Sequence, residues 1–249
     1  MVILVTGAGG FIGGYLVKNL VEEGNEVITA DIKKGENWFQ VSDGAINHYE
    51  CDMRLKENCV RLTERVDRIY NLACNMGGMG FIQNNHALCM ESVLIQTHML
   101  MSARDNGVSE ILYSSSACVY PLEEQSDIRD SMDQGLKERY AIPANPEDGY
   151  GWEKLFSEII THYFGKDFGL DYRICRYHNV YGPHGTWRGG REKAPAAICR
   201  KIIQAKLSRN YEIEVWGDGK QTRSFMYIDD CLIGMDKIWA SGYNKPLNM

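Results

Sequence analysis

The sequence predicts an α/β protein built on a doubly wound parallel sheet with helices on both faces. Three observations point there. Short apolar runs alternate with helical stretches from the first residues to residue 176. The runs are continuous rather than alternately polar, the pattern of strands covered on both faces. The first run passes straight into a glycine-rich turn and a helix, and the next run ends in an acid.

The elements follow in order. Residues 2–6, VILVT, form the first strand. The turn Gly7-Ala8-Gly9-Gly10-Phe11-Ile12-Gly13 comes next, then a helical pattern through Leu16, Leu20 and Val21, with Gly24 as its stop. Residues 26–31 are the second strand and end in Asp31, 18 residues after Gly13. The glycine spacing is G-x-x-G-x-x-G. Gly7, Gly10 and Gly13 let backbone approach a pyrophosphate at the helix N-terminus, where free N–H groups and the helix dipole favour anions. Phe11 and Ile12 supply the first helical N–H groups. An acid placed as Asp31 is accepts hydrogen bonds from ribose hydroxyls and repels a 2′-phosphate, so the unit reads as a Rossmann-type site for NAD rather than NADP.

Residues 46–50 precede Cys51-Asp52-Met53-Arg54, and residues 68–73 are a fourth strand. One helix is expected over 83–106, a fifth strand over 110–114, a helix near 150–166 and a strand over 172–176. After residue 176 the texture becomes turn-rich, with a helix over 194–204, another opening at Asp229, and the start of a strand at 245–249. The expected division is a Rossmann domain, 1–176, and a smaller, incomplete C-terminal substrate domain, 177–249, of which 225–240 packs back on the first.

Composition narrows the classes. A net charge of −6 gives no reason to expect nucleic acid or an anionic membrane surface, and no run of about 18 apolar residues predicts a span. The eight cysteines form no Cys-x-x-Cys and match no zinc spacing, so no metal is expected. They read as reduced thiols of a cytoplasmic protein, most of them small core residues.

The chemistry gathers at two stretches, Ser114 to Pro121 and Tyr150-Gly151-Trp152-Glu153-Lys154. Tyr150 and Lys154, four apart, share a helix face. The ammonium favours phenolate, so Tyr150 is expected to act as a base near neutral pH. Ser116, at the neighbouring strand end, is placed to bond the same substrate oxygen. On the residues alone, Cys118 reads either as a proton-carrying thiol or as a small buried residue. Lys193 reads either as an amine made less basic by Arg188 and Arg191 or as a solvated helix-start charge. Arg223 reads either as a diphosphate fork or as a surface partner of Asp229 or Asp230.

Taken together, these residues resemble the extended short-chain dehydrogenase/reductases that act on nucleotide sugars, and within them the GDP-mannose 3,5-epimerase family. The specific pieces are MGGMGFIQ at 76–83, SSAC at 115–118, YHNVYGP at 177–183, GTWRGGREKAPAA at 185–197 and the stretch 216–225. The resemblance implies oxidation of the hexose at C-4 by NAD, proton exchange at C-3 and C-5, and reduction, converting GDP-mannose to GDP-L-galactose or GDP-L-gulose. It assigns Tyr150 as the base for the C-4 hydroxyl with Lys154 and Ser116 assisting, and Cys118 and Lys193 as the epimerising acid/base pair. Asp52 and Met53 join the cofactor set. Gly77, Ser116, Ala117, Cys118, Asn179, Glu192, Lys193, Ala194, Lys201, Gln221, Thr222, Arg223 and Ser224 form the expected set for the GDP-hexose. The helices at 83–106 and 150–166 match that family's homodimer seam. Two departures are visible. Cys74-Asn75 stands where Ala-Asp is commoner, and the family continues further, supplying another sugar-nucleotide-binding arginine. The competing readings are a nucleotide-sugar 4-epimerase, a 4,6-dehydratase, and a non-catalytic NAD-sensing module.

Overall fold

A computed structural model describes the chain except for residues 39, 41–43, 45, 46, 126–134 and 221. Its elements are β1 (Val2–Thr6), α1 (Phe11–Glu22), β2 (Glu26–Asp31), β3 (Asn47–Glu50), α2 (Lys56–Leu62), β4 (Arg68–Asn71), α3 (Met79–Ile82), α4 (His86–Met90), α5 (Val93–Asn106), β5 (Glu110–Ser116), α6 (Leu122–Gln125), α7 (Gly149–Phe168), β6 (Asp171–Tyr177), β7 (Asn179–Tyr181), α8 (Ala194–Ser208), β8 (Phe225–Tyr227), α9 (Ile228–Ser241) and β9 (Pro246–Asn248).

Among the described residues, seven strands form one sheet in the order β3-β2-β1-β4-β5-β6-β9, every pair parallel. The strand order reverses direction between β1 and β4, which opens a crevice at the carboxyl ends of the strands. Period-two alternation sorts each strand's side chains onto two faces. Ile3, Val5, Leu112 and Cys175 join a core under α1 and α9. Leu4, Ile111, Tyr113 and Ile174 join a second core under α2 and α5. Both faces are therefore dry, which explains the uninterrupted apolar runs. Each fully buried Leu or Ile contributes about 1.5–3 kcal/mol relative to exposure.

The helix expected over 83–106 is broken into α4 and α5, with α3 ahead of them. Asn84 and Asn85 turn their side-chain amides back onto Gly80 O and Phe81 O, and Asn85 leaves helical geometry with φ −141°. Such local side-chain bonds compete with helix continuation. Strands β5 and β6 run longer than expected, to Ser116 and Tyr177, and α7 runs on to Phe168. The first residue of the expected third strand, Ile46, lies outside the described residues. Beyond β6, the parallel pair β7–β8 forms a small separate sheet, and α8 buries none of its residues. In contrast, α9 places Ile228, Cys231, Met235 and Ile238 in the first core, and β9 pairs with β6.

Candidate active site

Every strand of the large sheet that faces the crevice delivers something to it. After β1, Gly7 takes φ +70° and its carbonyl accepts from Gly10 N at 3.0 Å. A Cβ on Gly13 would lie 2.2 Å from Gly7 O, so only glycine lets α1 start this close to the turn. Phe11 and Ile12 are the first residues of α1. Asp31, at the end of β2, is buried and accepts from Gly9 N and Lys33 N, both at 2.9 Å. Lys33 Nζ closes the loop onto Gly9 O at 3.0 Å. Each Asp31 oxygen keeps a lone pair for a ribose hydroxyl. This cradle of bare backbone, a helix start and a carboxylate fits a dinucleotide. Asp52 is occupied by the Arg54 fork, which holds its carboxyl below the ordinary range, and Met53 is buried in the second core.

At the end of β5, Ser116 Oγ accepts from Cys118 N at 3.2 Å, capping the short turn of Ala117–Val119. Its O–H also lies within hydrogen-bonding range of the Cys118 thiol. Helix α7 begins beside this turn, its first turn capped by Asp148, which accepts from Gly151 N at 2.8 Å. A Cβ on Gly151 would lie 2.2 Å from Cys118 O. Gly151 is thus what lets the cysteine turn sit against the start of the helix, where Cys118 packs with Tyr150. Tyr150 is 4% exposed and Lys154 is 1% exposed. Lys154 Nζ donates to Ser114 O at 3.1 Å and lies 5.5 Å from the Tyr150 ring centroid.

Burial sets the direction of the site's electrostatics. Burial pushes the Tyr150 phenol well above its ordinary pKa, and Lys154 offsets only part of this. Burial likewise raises the Cys118 thiol. Lys193 is lowered as expected, but the cause is burial rather than its arginines. Arg191 instead donates to Asn75 Oδ1 and Met76 O and stacks on Phe81, while Arg188 lies over Trp187.

Lys193 caps the start of α8, Nζ reaches His178 O at 3.4 Å, and Cys118 lies within its electrostatic range. What brings it there is the glycine loop after β4. Gly78 N donates to Arg191 O at 3.1 Å, tying 76–81 to 191–193, with Gly77 buried beneath. The structure thus gathers Ser116, Cys118, Tyr150, Lys154 and Lys193 at one end of the sheet. It spreads the others more widely. Glu192 is held by Gly190 N and Arg200, and Ala194 is exposed at the head of α8. Lys201 donates to Glu214 O at 2.6 Å. Asn179 Nδ2 donates to Ser224 O at 3.1 Å, fixing the strand beside Thr222-Arg223-Ser224. Arg223 is exposed and donates to Thr222 O, and no ion pair with Asp229 or Asp230 occurs among the described residues. Gln221 lies outside them.

Two neighbours of the Tyr–Lys pair went unassigned in the sequence. Cys74, after β4, packs on the Tyr150 cluster and lies within hydrogen-bonding range of Tyr150 and Lys154. Glu153 is buried next to Lys154. The signal for Glu153 was a charged residue beside Lys154 in a helix whose neighbours are apolar.

Comparison with known proteins places these features. The chain is 46% identical over 249 residues to a GDP-mannose 3,5-epimerase of Arabidopsis thaliana, covering 99% of this chain and 64% of that relative. It therefore spans a little under two thirds of that protein's length. A UDP-glucose 4-epimerase from Thermotoga maritima, solved with UDP-glucose, superposes with a TM-score of 0.81 at 24% identity, over 100% of this chain and 76% of that one. A dTDP-glucose 4,6-dehydratase variant from Streptomyces venezuelae, solved with NAD, gives 0.80 at 25%, over 100% and 75%. Both share the fold. The model of the NAD dependent epimerase/dehydratase family matches residues 3–248, and with a match across nearly its whole length the chain belongs to that family.

Proposed function

We propose that the protein epimerises GDP-mannose at C-3 and C-5, through a transient C-4 ketone. The observation that carries this reading is that Lys193 lies within electrostatic range of Cys118, which itself packs with Tyr150. A 4-epimerase needs neither group. Gly7, Gly10, Phe11, Ile12, Gly13, Asp31, Asp52 and Met53 would hold NAD, which when bound supplies reversible hydride transfer at C-4. Tyr150 takes the C-4 hydroxyl proton, with Ser116 donating to the same oxygen and Lys154 stabilising the charge that develops. A C-4 carbonyl acidifies the hydrogens on its neighbouring carbons. Inversion there needs one group to remove a proton and another to return one from the opposite face. Burial keeps Cys118 protonated, ready to donate, and makes Lys193 easier to empty, ready to accept.

Asn179, Lys201, Gln221, Thr222, Arg223 and Ser224 are the residues for the GDP moiety, with Gly77, Ala117, Glu192 and Ala194 lining the sugar. Residues 1–176 form the cofactor domain and 177–249 the substrate domain, with 225–240 packed back on the first. The protein acts as a cytoplasmic homodimer. Trp152, Phe156, Ile159 and Tyr163 form an exposed apolar stripe on α7, and Met90 and Leu94 add to it from α4 and α5, which supports that seam. No helix among the described residues is long and apolar enough to cross a membrane. Incubation of the intact protein with GDP-mannose in heavy water tests the reading. Deuterium at both C-3 and C-5 is expected; exchange at neither, with inversion at C-4, would overturn it.

A further inference from the structure

Lys154 is an ammonium in a site with almost no water. Its contacts are Ser114 O, the Tyr113 ring at 4.9 Å, the Tyr150 ring at 5.5 Å and the Cys74 thiol. Burial favours the uncharged form of both phenols and of the thiol. An unopposed lysine buried this far falls to a pKa of about 5–6 and loses its charge. Among the described residues, one carboxylate pairs with it. Glu153 Oε2 lies 3.7 Å from Lys154 Nζ, and both side chains are 1% exposed.

The carboxylate is held from the other side. Tyr113 OH, from β5, and Ser157 Oγ, one turn along α7, both donate to Oε1 at 3.2 Å. Oε2 is left without a hydrogen bond, buried, on the ammonium's side. We infer that Glu153 is a positioning residue acting through Lys154: its carboxylate is the counter-ion that keeps the ammonium charged beside Tyr150. The inference rests on the reading of Tyr150 and Lys154 as the proton-handling pair.

Other titratable groups surround the pair, and among them Cys74 also favours the Lys154 ammonium. Tyr113 faces Glu153 from β5, Cys74 from the turn after β4, Cys89 from α4, and Tyr150 and Lys154 from α7; Cys118 touches the Tyr150 side of the cluster. Burial raises every thiol and phenol among them, Cys89 to about 11. Burial also pushes Glu153 up, while Lys154 and the two hydroxyl donors pull it down. The next acid on the helix, Glu158, is spent on Arg176 in a two-pronged pair. Glu153 and Lys154 remain as one balanced pair, and removing one member strands the other.

The test needs neither substrate nor cofactor. Lysine labelled with carbon-13 at Cε reports ammonium charge by NMR, with the Lys154 signal identified by its loss in Lys154→Arg. In the parent, Lys154 should stay protonated across the folded pH range. In Glu153→Gln, which preserves shape, the midpoint should fall far enough for Lys154 to lose its proton within that range. Should that variant not fold, Ser157→Ala and Tyr113→Phe withdraw the donors that hold the carboxylate and should lower the midpoint by less. A Lys154 signal that stays protonated over the same range in the folded variants overturns the inference. Failure of GDP-mannose exchange would count against the proposed function while leaving this titration intact.

Discussion

Tyr150 and Lys154 are sealed between β5 and α7, 4% and 1% exposed, whereas Arg223 and Lys201 stand on segments open to solvent, and α8 buries nothing. In the proposed function the first region handles protons and the second holds a charged ligand. The contrast follows from what each task needs. Shifting proton affinities requires low dielectric and fixed neighbours, and the sheet core supplies both. Holding a diphosphate requires only forked cations and donors near a surface that the ligand can reach. Substitutions in the first region should therefore change chemistry, and in the second mainly binding.

The largest expected effect is Tyr150→Phe. It removes the acceptor of the C-4 hydroxyl proton, so both cofactor reduction, read by absorbance, and deuterium uptake should fall by about 10²–10⁴-fold. If only one falls, the two processes do not share this residue. Cys118→Ala should cut deuterium uptake by a similar factor of about 10²–10⁴ while cofactor reduction persists. Wild-type exchange in that variant would make the thiol structural. Both tests belong on the intact, active protein.

Arg223→Ala should raise KM for the GDP-sugar by roughly 10- to 100-fold, the value of one hydrogen bond to a charged group, with kcat and Tm little changed. A large drop in Tm would erase the distinction between the two regions, since an exposed side chain has little packing to lose. The smallest expected effect is on pH dependence. As a base, Lys193 works above its pKa; since that is lowered, the rising limb of exchange should lie below the ordinary lysine range. As an acid, Cys118 works below its pKa; since that is raised, the falling limb should lie above the ordinary thiol range. Loss of the rising limb alone in Lys193→Met would assign it, and an unchanged profile would reject the assignment.

The dinucleotide cradle was legible because its causes are local. A strand, three glycines at fixed spacing, a helix start and an acid at the next strand end are all read along the chain, and β1, α1 and β2 follow those bounds. The 83–106 stretch was misread because apolar content alone gave no hint that Asn84 and Asn85 would turn onto the backbone. Gly151 was passed over for a different reason. Its role, admitting the carbonyl of Cys118 at a distance no Cβ allows, exists only when two remote segments meet.

By itself the sequence determined the parallel sheet, the glycine turn, Asp31 and the Tyr150–Lys154 spacing, because hydrophobic period and backbone freedom act over a few residues. The tertiary structure alone decided the proton affinities. Lys154 beside Tyr150 favours phenolate while burial opposes it, and it was burial, not Arg188 or Arg191, that lowered Lys193. It also decided that Glu153 turns inward onto Lys154, held by a tyrosine 40 residues earlier in the chain. Desolvation depends on everything packed around a group, and no stretch of sequence carries that sum.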